Sequence, residues 1–265
     1  MSTKITKDDL KLDQVTKSMR QGFVWTTGHS KMVLGVIIGF VVLGGGYSLW
    51  NVWAEKKEVS QQEKYFILEK AYNEKKRSFD EALRAETLAA ASKDKKVAPA
   101  DTNKKASGDL DKDYGTIPAD FQAMIEAVPH TKAAQMAALN LSEIYSSYGK
   151  NEEALTALDK VSKGLGSTDA ISALVWMQTG NLLANKGDCK GAVEKWQHIA
   201  DSKKLSFAQD EAKLRMGLCF ETMNDLAKAE ELYTQVTKKE DATADFAASR
   251  EAQKYLRLLK AKKNL

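Results

Sequence analysis

The sequence predicts an all-α protein in which a single N-terminal transmembrane helix is followed by an α-solenoid. Three observations carry that expectation. Residues 32–53 (MVLGVIIGFVVLGGGYSLWNVW) hold no charged side chain over 22 positions, long enough at ~1.5 Å per residue to cross a ~30 Å hydrocarbon core. Three prolines and 8% aromatic residues are few for an all-β chain of 265 residues, because strands and their turns are rich in both. Beyond residue 131 one pattern of small, bulky and turn residues returns three times, at spacings of 38 and 37 residues, the mark of a stacked helical array.

Length allows one anchor and one or two folded modules. Residues 1–53 carry six Lys or Arg against three acids, so they hold +3 of the net +4 and leave +1 for the remainder. A surface so nearly balanced lacks the surplus of cations that nucleic acid requires, and no nucleic-acid partner is expected.

Residues 1–31 form the expected cytoplasmic arm. Thr6 and Asp9 offer a capping box, and Leu12, Val15, Met19 and Phe23 fall on one helical face, reading as a short amphipathic helix at the bilayer; a frayed tail is the alternative. Lys17, Arg20 and Lys31 flank the span on this side, while Lys56, Lys57 and Lys64 flank the other. Orientation with the N-terminus inside therefore rests on the short basic arm. Residues 51–54 offer no A-x-A cleavage site, so the span is expected to be retained as the anchor. Within it, Gly35, Gly39 and Gly46 share a face that would let another membrane helix approach closely, and Tyr47, Trp50 and Trp53 form a boundary belt.

Residues 54–91 read as a helical extension, with Tyr65, Leu68, Ala71, Tyr72, Phe79 and Leu83 as its apolar stripe. Residues 92–117 change character: Lys, Asp, Ala, Ser and Thr dominate up to Asp113, and a disordered charged insert is expected because so little apolar surface can be buried.

Residues 118–265 hold the repeats. In register, Ser142, Gly180 and Gly217 are small; Tyr145, Leu183 and Phe220 follow three residues later, and Gly149, Gly187 and Asn224 occupy the turn. Ala154, Ala192 and Ala229 come next, then bulky Leu158, Trp196 and Tyr233, then Val161, Ile199 and Val236. This resembles the tetratricopeptide repeat, whose period is about 34 residues, with the surplus residues lengthening the links between hairpins around 163–168. Residues 241–259 complete the array as a capping helix, with Phe246, Tyr255 and Leu258 expected inward.

The resemblance to that repeat family implies a concave face lined by one side of each first helix. By register it carries Glu143 and Ser147, then Leu174, Met177, Asn181 and Asn185, then Leu214, Leu218 and Glu221. Asn181 and Asn185 lie one turn apart, as peptide-binding members place asparagines that hold a ligand backbone. Where carboxylate-clamp members have lysine this chain has Leu139, Met177 and Leu214, so an extended or apolar segment is the expected ligand. The same register brings Cys189 and Cys219 to one level, leaving two readings: a disulfide between repeats, or two buried thiols. His29, His130 and His198 are scattered, and no metal site, cofactor or enzymatic constellation is expected.

The basic arm, the Gly-rich span ending in aromatics, the helical extension and the repeat array together resemble the ancillary subunit family of the bacterial SecYEG translocon. The run KGDCKGAVEKW at 186–196 is similar to that family's KGD-x-x-x-A-x-x-x-W turn and helix; the insert and the cysteine pair depart from its pattern. The resemblance implies a single-pass protein of the bacterial inner membrane with periplasmic repeats. Its partners would be translocon subunits, periplasmic chaperones or exported chains. A structural adaptor in envelope assembly or division is the alternative.

Overall fold

The computed structural model describes Met19 and residues 30–91, 105–238 and 245–263. Among them every regular element is a helix, and the chain divides into two compact units, Met1–Lys57 and Glu58–Leu265. Helix α1, Ser30–Ala91, begins in the first unit and continues in the second. Its uncharged stretch 32–53 is helical, and Gly35, Gly39 and Gly46 have open space where a Cβ would stand. Among the described residues no helix is long and apolar enough to cross a membrane. Many side chains of 32–53, and residues 1–29 of the predicted arm except Met19, lie outside the described residues.

In the second unit α1 buries Tyr65, Tyr72 and Ala82. Leu83, expected on that stripe, is 59% exposed, and the neighbouring Ala82 takes its place inward. A short helix α2, Leu110–Tyr114, follows, capped by the Asp109 carboxylate, which accepts from the Asp111 and Lys112 N–H groups. This corrects the expected disorder of 92–117: residues 92–104 lie outside the described residues, but 110–114 form a capped helix and from Asp113 the chain enters the core. Tyr114 and Ile117 are buried, and the buried Asp113 carboxylate accepts from the Ser107 and Gly108 N–H groups and from the Tyr148 hydroxyl. A composition window sees few apolar residues here; a handful of well-placed ones suffices once the polar groups are satisfied.

Helix α3, Ile117–Ala127, accepts Pro118 in its first turn, where no N–H is needed. Three hairpins follow: α4, Lys132–Ser147, with α5, Asn151–Lys160; α6, Ala170–Asn185, with α7, Cys189–Ala200; and α8, Ser206–Thr222, with α9, Leu226–Lys238. Helix α10, Phe246–Lys263, ends the array. Side-chain oxygens of Thr131, Asp169 and Asp188 cap α4, α6 and α7, which fixes where each starts.

The register read from sequence is the packing itself. A Cβ on Gly180 would overlap the Trp196 indole, and one on Gly217 would overlap the Tyr233 ring. Leu158, Trp196 and Tyr233 are all buried to within 2% of complete, each worth ~1.5–3 kcal/mol of apolar transfer. Gly149, Gly187 and Asn224 turn the hairpins at φ of 71°, 89° and 63°, the left-handed region open to glycine and tolerated by asparagine. Single 3₁₀ turns, Ser162–Gly164 and Lys203–Leu205, occupy the links between hairpins, where the surplus residues were expected.

The capping helix has its face rotated from the expected one. Phe246 and Leu258 are 80% and 50% exposed, whereas Ala248, Ala252 and Leu259 are buried. Tyr255 does turn inward, stacking on Tyr233 at 5.8 Å. Two stacked rings already fill part of the space above α9, and Ala248, Ala252 and Leu259 make the remaining contacts. The expected start at 241 lies outside the described residues.

Candidate binding groove

Helices α6, α7 and α8, with the end of α4, line an open groove of about 680 Å³. Its walls include Gln178, Asn181 and Asn185 from α6 and Arg215, Leu218 and Thr222 from α8. Each trio has the spacing i, i+3, i+7 and so shares one helical face. Stepping back by the repeat spacings, Gln178 and Arg215 are equivalent to Asn140, Asn181 and Leu218 to Glu143, and Asn185 and Thr222 to Ser147.

Two polar atoms in the groove walls are buried without a hydrogen-bond partner: Asn181 Oδ1 and Arg215 Nε. The Arg215 guanidinium is held at its far end by Glu211, 2.5 Å from Nη2, which fixes the direction of the free Nε–H. A buried acceptor or donor left unmade costs ~1–3 kcal/mol, a cost that a small rotation of either side chain toward a ligand with the complementary groups would remove. Trp196 and the cysteine pair supply the apolar part of the wall. Cys189 and Cys219 are joined as a disulfide with Cα atoms 5.2 Å apart, tying α7 to α8 across neighbouring repeats. Of the two readings of the pair, the bonded one holds.

Among the residues predicted for the concave face, Asn181, Asn185 and Leu218 converge on the groove. Leu174 is on α6, 53% exposed and outside the cavity wall. Met177 is half-buried, and its carbonyl accepts from Trp196 Nε1 at 3.3 Å. Leu214 belongs to the core at 2% exposure. The inner-face position is one residue later, at Arg215; a step of one residue turns the helix by about 100°, enough to move Leu214 from groove to core.

Glu221 is tied up within the chain: the Tyr233 hydroxyl donates to it at 2.9 Å and Lys262 lies 3.6 Å away. Burial, and then the Glu221 carboxylate, push the Tyr233 hydroxyl far above the usual tyrosine range. Glu143 is likewise engaged, accepting from the Tyr72 hydroxyl at 2.9 Å and pairing with Lys76, both on α1. Asn140 donates to the Tyr65 hydroxyl at 2.8 Å. In the first repeat the inner face is therefore covered by the chain's own helix.

Gln178, Arg215 and Thr222 are groove residues that the sequence reading did not single out. Arg215 had a signal: it is a lone cation inside the otherwise apolar run LRMGLCF. Among the described residues no group of His, Cys, Asp or Glu is arranged to hold a metal ion. No protein-family model matches this chain, and no curated protein matches its sequence.

Proposed function

We propose that the chain is a membrane-anchored scaffold whose second and third repeats hold a segment of another protein, without turnover chemistry. The observation that carries this reading is the pair of unsatisfied groups, Asn181 Oδ1 and Arg215 Nε, in one groove beside apolar Leu218 and Trp196. An acceptor and a donor next to apolar wall suit a peptide backbone and its side chains. The anchor is the uncharged stretch 32–53, and the arm before it sets the N-terminus inside. On the resemblance to the ancillary translocon subunits, the repeats would stand in the periplasm and link the Sec translocon to periplasmic chaperones or emerging chains. The disulfide supports an oxidising compartment.

The test is site-specific photo-crosslinking in cells from a probe at Asn185 or Leu218, with a probe at the exposed Phe207 as control. Adducts to exported chains or chaperones from the groove positions, reduced by Asn181→Ala, are expected. Adducts confined to a fixed envelope complex would instead favour the adaptor role, and equal yields from Phe207 would sink the groove assignment. Probes at Gly35 and Gly39 are expected to capture translocon subunits. Protease added to spheroplasts is expected to digest the repeats; their protection would overturn the periplasmic placement.

A further inference from the structure

A second cavity, sharing no residue with the groove, lies between α1, the 105–109 segment, α2 and α4 and measures about 490 Å³. Four aromatic rings line it: Tyr72, Phe79, Tyr114 and Tyr148. They are locked against one another through Tyr114, which stacks on Tyr72 at 5.9 Å and meets Phe79 and Tyr148 edge-on at 5.6 and 6.0 Å. The Asp80 and Glu143 carboxylates complete the wall. Burial, then the Glu143, Asp80 and Asp113 carboxylates, raise the Tyr114 hydroxyl above its ordinary value, so the negative field of these acids reaches the rings. The chain itself places one cation here: Lys76 Nζ sits 5.9 Å from the centre of the Tyr72 ring and pairs with Glu143.

We propose that this cavity is a binding site for an organic cation, an ammonium or guanidinium group held between the ring cluster and the Asp80 and Glu143 carboxylates. Ring quadrupoles attract such cations, the more so when they are soft and poorly hydrated, and fixed carboxylates supply the counter-charge. An inorganic anion is disfavoured by the same field. A metal ion is poorly served, because among the described residues no group of three or more His, Cys, Asp or Glu is placed to hold one. Lys76 competes for the site from one side, neutralising Glu143 and leaving Asp80 to the incoming cation. The cation has two sources, a free small solute or the basic side chain of a protein, and the chemistry of capture is the same for both.

The experiment uses the full chain, with its tyrosine ring resonances followed by NMR during titration with tetramethylammonium chloride and, separately, with a blocked arginine tripeptide. Sodium chloride at matched ionic strength is the reference. Saturable shifts of the Tyr114 and Tyr148 rings are expected with at least one cation and none with sodium. A peptide that binds about tenfold tighter than tetramethylammonium identifies a protein side chain as the source, and the reverse order identifies a free solute. The paired substitutions Asp80→Asn and Glu143→Gln, which keep the shape and one acceptor oxygen of each side chain while removing its charge, are expected to weaken binding about tenfold or more. Lys76→Ala removes the internal competitor from a half-exposed position and is expected to strengthen binding about threefold or more. Shifts no larger than those with sodium, or affinities unchanged in both the paired variant and Lys76→Ala, would overturn the assignment.

Discussion

In the first repeat, Asn140, Glu143 and Ser147 face the chain's own α1; in the next two, Gln178, Asn181 and Asn185, then Arg215, Leu218 and Thr222, face an open groove. These are the same positions of one repeated helix, offset by 38 and 37 residues. Where α1 lies, Tyr65 and Tyr72 answer the inner-face polar groups, and both rings are buried to 4% and 3%. Where it does not, Asn181 Oδ1 and Arg215 Nε have no partner. Where the inner face is satisfied in cis, at Asn140 and Glu143, the first repeat fastens the helix to the array. The second and third repeats keep unpaired groups in a groove that no described helix of the chain covers.

The contrast is broken most severely by removing what α1 contributes. Tyr72→Ala is expected to cost about 3–5 kcal/mol, since it deletes a buried ring that contacts Tyr114 and Phe121 and leaves Glu143 with Lys76 as its remaining partner on α1. Chemical denaturation measures the loss, and amide exchange in α1 beyond Glu58 should rise with it. Next comes the tie between the two open repeats. Replacing both Cys189 and Cys219 by serine removes a link across 30 residues, and a loss of about 2–4 kcal/mol is expected. Adding reductant to this variant should change nothing, whereas the same reductant should destabilise the unaltered protein. A change of similar size in both would mean that the reductant acts elsewhere.

Gly180→Ala follows at about 1–3 kcal/mol, because the added methyl enters the space of the Trp196 indole. Trp196→Phe in the same chain should recover part of that loss, a non-additivity that a purely helical effect of alanine would not produce. Lower still stands the acid response of Asp113. Burial works against its charged form, but the Tyr148 hydroxyl and the Ser107 and Gly108 N–H groups outweigh it and hold the pKa below the usual aspartate value. A depressed folded pKa stabilises fully above the unfolded value, near ~3.9, and that contribution is lost as pH falls through the lower folded value. The melting temperature should therefore drop more steeply below about pH 4 in the unaltered chain than in Asp113→Asn.

The repeat was legible in the sequence because the pattern and the contact are one thing. Gly180 faces Trp196 and Gly217 faces Tyr233, sixteen residues on in each case, and the turn residues Gly149, Gly187 and Asn224 adopt the backbone that their types favour. What stayed hidden depends on partners far along the chain. Asp113 is an ordinary charge until Tyr148, 35 residues away, donates to it. The inner face was read one residue early, at Leu214 instead of Arg215, because an apolar residue can belong to groove or core and only the neighbouring helix decides. Likewise Glu143 looked free until α1 was seen to lie on it, and no periodicity within α4 records that.

The smallest expected effect on stability bears most directly on the contrast, because it sets two equivalent residues against each other. Glu143→Ala should cost about 1–3 kcal/mol, since the Tyr72 hydroxyl loses its acceptor in a buried setting. Asn181→Ala, at the equivalent position, breaks no hydrogen bond within the chain and removes an atom that is buried and unsatisfied. It should leave stability within about 0.5 kcal/mol, or raise it slightly by relieving that cost, while weakening groove binding about tenfold. Parallel denaturation curves, with crosslinking yield at Asn185 as the binding readout, separate the two roles. Equal destabilisation by both substitutions would mean that Asn181 is a structural group like Glu143, and the division between a self-satisfied repeat and two open ones would fail.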